Sequence, residues 1–222
     1  MSEPRSILAV VGMTREAKIL GGAPALIGGG DAAALAEALE AQLRDGIAGV
    51  VSFGLCGALD PALKVGDLVI GDAVQGEGEL YEADPAWMER LAAALPDARF
   101  GRFVGAQAPV AAVADKAALR HHTGASAVDL ESHIVGRFAR WYGTPFAVLR
   151  AVSDGAARAL PHAAQVGLGP DGRPAIGPVL ASLKRNPWQL GALIRTALEA
   201  EDGFHTLERV RQTLGPRLAG PG

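Results

Sequence analysis

The sequence predicts an α/β fold, one domain with a helical appendage at its carboxy-terminal end. Three observations predict it. Mainly apolar runs of five to seven residues recur at Ile7–Val11, Ile47–Phe53, Leu68–Val74 and Phe146–Val152, the lengths expected of buried strands. Between such runs lie segments with apolar residues at helical spacing, as in Ile134, Val135, Phe138 and Trp141. Finally, the chain has 222 residues, 49% of them apolar, which suits one large core.

Ile7–Val11 is the first strand. It runs into Gly12-Met13-Thr14-Arg15-Glu16-Ala17, a turn that opens a short helix. Glu16 is thereby set at the carboxyl end of the strand, in the crevice where open α/β sheets bind ligands. A first-turn acid also favours the helix dipole, so Glu16 has a purely local explanation as well. Ala25–Ile27 is a second strand, followed by Gly28-Gly29-Gly30-Asp31 and an Ala/Leu-rich helix to about Arg44. These glycines are a tight turn rather than a dinucleotide fingerprint, because Ala33 stands where Gly-x-Gly-x-x-Gly needs its last glycine. Ile47–Phe53 leads into a loop, Gly54-Leu55-Cys56-Gly57-Ala58-Leu59, whose adjacent N–H groups are expected to form a concavity for an anion or oxyanion. A Lys64–Asp67 turn precedes the strand Leu68–Val74. Pro85–Leu95 reads as a helix, Phe100–Val104 as a strand and Asp115–His122 as a helix.

The stretch Val128–Asp154 organises the rest. A short apolar approach ends in Asp129-Leu130-Glu131, and an amphipathic helix follows until Gly143 and Pro145 stop it. The strand Phe146–Val152 then delivers Ser153-Asp154 at its carboxyl end. Glu131 and Asp154 therefore meet at one sheet edge, although each also has a local reading as a helix-end acid. A Pro/Gly-rich loop follows Gly155 and is placed to act as a lid. Pro178–Arg185 is a helix stopped by Asn186-Pro187, and Leu190, Leu193, Ile194, Ala197 and Leu198 mark one helical face. Pattern alone favours packing of that face onto the core or a partner subunit. Thr206–Leu214 continues in helix, and residues 215–222 read as a frayed tail.

Several function classes are excluded. A net charge of −3 gives no electrostatic case for nucleic acid. The single Cys56 permits no intrachain disulfide and no multi-cysteine metal site, and it has no base at recognisable spacing, so it reads as a packing residue. His121 and His122 are neighbours that point apart on a helix, and no metal is expected. Ile7–Val11 is too short for a signal peptide and Ile47–Leu59 too short to cross a bilayer, so a cytoplasmic protein is expected.

Three separated motifs carry a family resemblance. Asp129-Leu130-Glu131 followed by a helix, a strand and Ser153-Asp154 resembles the end of the catalytic core in the nucleoside phosphorylase and nucleosidase superfamily. The run from Ser52 to Val74, with its glycine loop and Val65-Gly66-Asp67 turn, resembles the same family, as does the strand and turn up to Glu16. The resemblance implies a three-layer αβα sandwich around a mixed twisted sheet of the phosphorylase/hydrolase type, with the helical extension beginning near residue 178. It implies that Asp154 protonates purine N7 with Ser153 orienting it, that Glu131 in the motif Asp129-Leu130-Glu131 holds the ribose hydroxyls, and that Glu16 activates water. Gly54, Leu55, Cys56 and Gly57 would lie against the sugar or nucleophile, and Ala108, Pro109 and Val110 would wall the purine. For a phosphate co-substrate the nearby candidates are Thr14, Arg15 and Ser52; no other cofactor is implied. The residues alone lean to water as acceptor, since the loop has no hydroxyl at Leu55.

A narrower resemblance covers Asp129–Asp154, Ala159-Leu160-Pro161, Gly167–Pro174 and the stretch Leu180–Leu198, which are similar to the bacterial hopanoid-associated phosphorylases. It implies an adenine nucleoside with a large lipid at its 5′ end, adenosylhopane giving ribosylhopane and adenine. Other readings stand beside it: a methylthioadenosine/S-adenosylhomocysteine nucleosidase, or a non-catalytic purine-binding protein on the same fold. The partners implied are a small-molecule nucleoside and other copies of the chain, a homo-oligomer with the dimer favoured. Trp188 and the Leu/Ile stripe beside Lys184, Arg185 and Arg195 offer peripheral membrane contact as the alternative to core packing.

Overall fold

The computed structural model of the protein describes residues 6–44, 46–169 and 171–221. In chain order the elements are β1 (Ile7–Val11), α1 (Thr14–Ile19), β2 (Ala25–Ile27), α2 (Ala32–Arg44), β3 (Gly49–Ala58), β4 (Leu68–Gly76), β5 (Glu79–Glu82) and α3 (Pro85–Ala94). They continue as β6 (Arg99–Gly105), α4 (Val113–Thr123), β7 (Ala127–Asp129), α5 (Ser132–Tyr142), β8 (Phe146–Asp154), α6 (His162–Gln165), α7 (Ile176–Arg185) and α8 (Leu190–Leu214).

The eight strands form one mixed sheet in the order β2-β1-β3-β7-β6-β4-β5, with β8 paired to both β3 and β4. β3, β7, β6, β4 and β8 thus close a circuit, while β1 and β2 extend from it as a parallel edge. Side-chain alternation gives the sheet two apolar faces. On one, Val50, Cys56, Val148 and Val152 pack against Leu35, Leu39 and Leu43 of α2 and Ile134, Val135 and Phe138 of α5. On the other, Val51, Phe53, Leu149 and Ala151 pack against Trp87 and Leu91 of α3 and Phe204, Leu207 and Val210 of α8. Helices therefore cover both faces of a mixed sheet, the three-layer arrangement expected.

α5 shows how the sequence sets its own limits. Asp129 caps the first turn, its Oδ1 accepting from the Glu131 and Ser132 N–H groups at 3.0 and 2.8 Å. The helix stops at Gly143, which is left-handed at φ 61° and donates its N–H to the last-turn carbonyls. Trp141, counted above in the apolar stripe, lies 66% exposed at the rim.

The structure revises several expectations. β3 does not end at Phe53. It continues as strand through Gly54, Leu55, Cys56 and Gly57, because β8 pairs with it along its length and β7 pairs with its end. Residues 215–221 of the expected frayed tail are packed, Gly222 lying outside the described residues: Leu218 is buried, and its carbonyl accepts from the Trp87 indole at 2.9 Å. α8 is one helix of 25 residues, and only its second half meets the core. Leu190, Ile194 and Leu198 are exposed, so the packing expected of that face is absent within the chain. The Pro/Gly-rich loop carries a short helix, α6, and reaches back to the first turn, where the Thr14 N–H donates to the Gly172 carbonyl at 2.9 Å.

Candidate active site

A cavity of about 250 Å³ opens at the carboxyl ends of β1, β3 and β8. Glu16, Leu55, Cys56, Gly57, Pro109, Val110, Asp129, Leu130, Glu131, Ser153 and Asp154 all line it. The three acids expected to do chemistry are each buried against a glycine. A Cβ at Gly54 would lie 2.5 Å from a Glu16 oxygen, one at Gly57 3.2 Å from an Asp154 oxygen, and one at Gly12 3.0 Å from a Glu131 oxygen. Glycine at these positions is what lets three carboxyls crowd onto one sheet edge.

Glu16 sits at the third position of α1, where its carboxylate accepts from the Met13 N–H, as a capping acid would. The same oxygen accepts from the Gly12 N–H at 2.8 Å, and the other from the Leu55 N–H at 2.7 Å. The local reading therefore holds, and the same side chain also lines the cavity. Burial pushes its pKa up from 4.5 to about 7, against the pull of Arg150 and the backbone donors. The Leu55 N–H is thereby spent on Glu16, so the anion concavity expected in this stretch is not formed.

Arg150, wholly buried in mid-strand, holds the other acids together. It donates to Glu131 Oε2 at 3.0 Å, to the Ser52 hydroxyl at 2.6 Å and to the Leu55 carbonyl at 3.0 Å, and pairs with Asp129 at 3.2 Å. Period-two alternation puts Arg150, Val152 and Asp154 on one face of β8, which is why the arginine underlies the site. Burial works against its charge, but Asp129, Glu131 and Glu16 outweigh that and raise its pKa. Burial raises the pKa of Glu131, with Arg150 opposing.

Asp154 is paired with Lys116, a buried lysine of α4. The ammonium also donates to the Gly155 and Arg158 carbonyls, each at 3.0 Å. Ser153 has one hydroxyl proton and two acceptors in range, Asp154 Oδ1 at 3.0 Å and the Cys56 carbonyl at 3.1 Å. Cys56 lines the cavity, and burial holds its thiol well above the ordinary value, so it stays protonated.

Other expected residues lie elsewhere. Ala108 is exposed and outside the cavity, whereas Pro109 and Val110 line it. Gly54 is buried behind it, against Glu16. Thr14, Arg15 and Ser52 are not brought together as an anion site. The Thr14 hydroxyl donates to the Asp171 carbonyl at 3.3 Å, Arg15 pairs with Glu201 on α8 and stacks 4.0 Å over Phe204, and Ser52 is buried beneath Arg150 and Ser132. Arg150 and Lys116 were not singled out in the sequence. A single charge inside an apolar strand was the available signal for Arg150; a lysine on a polar helix gave none.

The chain matches the family model described as the phosphorylase superfamily over residues 7–169. It therefore belongs to that superfamily, and with it to enzymes of the nucleoside phosphorylase and nucleosidase type. Its fold is similar to that of 5′-methylthioadenosine/S-adenosylhomocysteine nucleosidase from Campylobacter jejuni, with TM-score 0.62, 15% identity, and coverage of 92% of this chain and 99% of that one. The same enzyme from Colwellia psychrerythraea, in complex with adenine, gives 0.61 and 15%, over 91% and 96% of the two chains. Futalosine hydrolase from Helicobacter pylori gives 0.62 and 14%, over 92% and 96%.

Proposed function

We propose that the protein cleaves the N-glycosidic bond of an adenine nucleoside, with water as acceptor. The observation that carries this reading is the convergence of Glu16, Glu131 and Asp154 on one cavity, with Glu16 at a pKa near 7. As the bond breaks, C1′ gains positive charge and the purine leaves with the bonding electrons. Asp154 delivers a proton to purine N7, Glu131 accepts from the ribose hydroxyls and stabilises the cationic sugar, and Glu16 takes a proton from water attacking C1′. Leu130, Pro109 and Val110 provide apolar wall for the base. Water is favoured over phosphate by charge. Among the described residues, Glu16, Asp129, Glu131 and Asp154 face only Arg150 and Lys116 as cations, and both are already engaged, so a second anion meets repulsion.

The finer reading is a substrate with an apolar 5′ group, adenosylhopane giving ribosylhopane and adenine. Leu160, Ala164, Leu168 and Ala200 give the cavity an apolar side. Beyond it the α7–α8 surface exposes Ile176, Leu180, Trp188, Leu190, Ile194 and Leu198 next to Lys184, Arg185 and Arg195, which favours peripheral contact with lipid. Methylthioadenosine or S-adenosylhomocysteine is the second reading, favoured by the likeness to nucleosidases of those substrates. Adenine release from adenosine, methylthioadenosine and adenosylhopane by the purified protein separates the readings. The lipid-linked reading expects the highest kcat/KM on adenosylhopane; preference for methylthioadenosine would favour the second. Absence of release from all three would leave a purine-binding protein.

A further inference from the structure

α4 is a mostly exposed helix, and among its residues Lys116 alone is buried, at 0% exposure. A leucine at such an anchor would pack at no electrostatic cost, whereas a buried ammonium must recover its lost hydration. Lys116 recovers it through three acceptors: Asp154 Oδ2, the Gly155 carbonyl and the Arg158 carbonyl. These match the three N–H bonds of an ammonium, so its direction is fixed. Two acceptors belong to the backbone just after β8, so the lysine ties the strand end and its carboxylate into one unit. The only side chain it touches through these bonds lines the cavity. We infer that Lys116 is the positioning residue of Asp154 and the source of the proton that Asp154 passes to the leaving base.

This rests on the glycosidic reading above. In the step, an N–H bond of Lys116 breaks as an O–H bond forms on Asp154, and that proton then bonds to purine N7. The electron pair of the C1′–N9 bond moves into the purine, water bonds to C1′, and its proton goes to Glu16. Lys116 ends neutral, Glu16 ends protonated, and the total charge is unchanged. Exchange with solvent after product leaves resets both groups.

The test is a double-mutant cycle on adenine release from the best nucleoside. Lys116→Met is expected to lower kcat by about 100-fold with KM within about threefold, the size of a lost general acid. Lys116→Arg, which keeps the cation and the pairing but does not release a proton, is expected to recover less than about threefold of that loss. In an Asp154→Asn background, Lys116→Met is expected to cost less than about twofold more, because its effect runs through Asp154. Equal losses in both backgrounds, or full activity of Lys116→Met while Asp154→Asn is impaired, would overturn the inference and leave the glycosidic reading intact. If Lys116→Met does not fold, Lys116→Arg decides: kcat at the wild-type level overturns it, because the arginine keeps the position and the charge but passes no proton. A wild type that releases no base would remove both.

Discussion

Glu16, the base of the proposed reaction, sets that role against stability in one side chain. Three N–H donors favour its carboxylate, yet burial prevails and its pKa lies near 7 rather than 4.5. A base in this range is half ionised near neutral pH, which suits proton abstraction from water. The same shift costs stability. Between about pH 4.5 and 7 the unfolded chain gives up a proton that the folded chain keeps, so stability falls as pH rises through that window, by about 3 kcal/mol, and is level above it. Urea unfolding across this range is expected to show the decline in wild type and to lack it in Glu16→Gln, whatever constant offset the lost Leu55 hydrogen bond adds. An identical decline in both proteins would mean another group titrates. The kcat/KM of wild type should rise through the same window as stability falls, with Glu16→Gln lower by 10²–10⁴-fold.

At the scale of elements, the β3 glycines determine whether the acids fit. Gly54 adopts φ 154°, and any Cβ there meets the Glu16 carboxylate at 2.5 Å. Gly54→Ala is expected to cut activity by about 100-fold through displacement of Glu16. Gly78→Ala is the control: it too has positive φ, at 82°, but no atom lies within 4 Å, so it should lose some thermal stability and keep its activity. Equal activity loss in both would assign the effect to backbone strain. These glycines also explain what the sequence left illegible. Gly54 and Gly57 read as a loop because glycine is a poor strand former, but β8 supplies partners that hold the segment extended. β7, with three residues, carries too little periodicity to be read, yet it closes the strand circuit. β1, β4, α2, α5 and β8 were legible because each pairs a long apolar run with a clear stop. The acids Glu16, Glu131 and Asp154 were legible as a set through motif order, whereas Arg150 and Lys116 depend on contacts that no local spacing encodes.

At the scale of the molecule, the exposed α7–α8 surface stands outside the two cores that carry folding. Trp188 is 93% exposed and Leu198 65%, so replacing both by Ser should leave the melting temperature unchanged. Leu207→Ala, fully buried on the same helix system, should cost 2–5 kcal/mol. A large drop for the surface pair would show that it is covered in solution. No described helix is long and apolar enough to cross a membrane. Hydrolysis of an adenine nucleoside at the Glu16–Glu131–Asp154 cavity is decided by product analysis. The purified protein is incubated with nucleoside in ¹⁸O-labelled water, once without phosphate and once with it. Equal adenine release is expected in both, with one labelled oxygen on C1 of the sugar. Release only with phosphate, giving a sugar 1-phosphate without label, would contradict it.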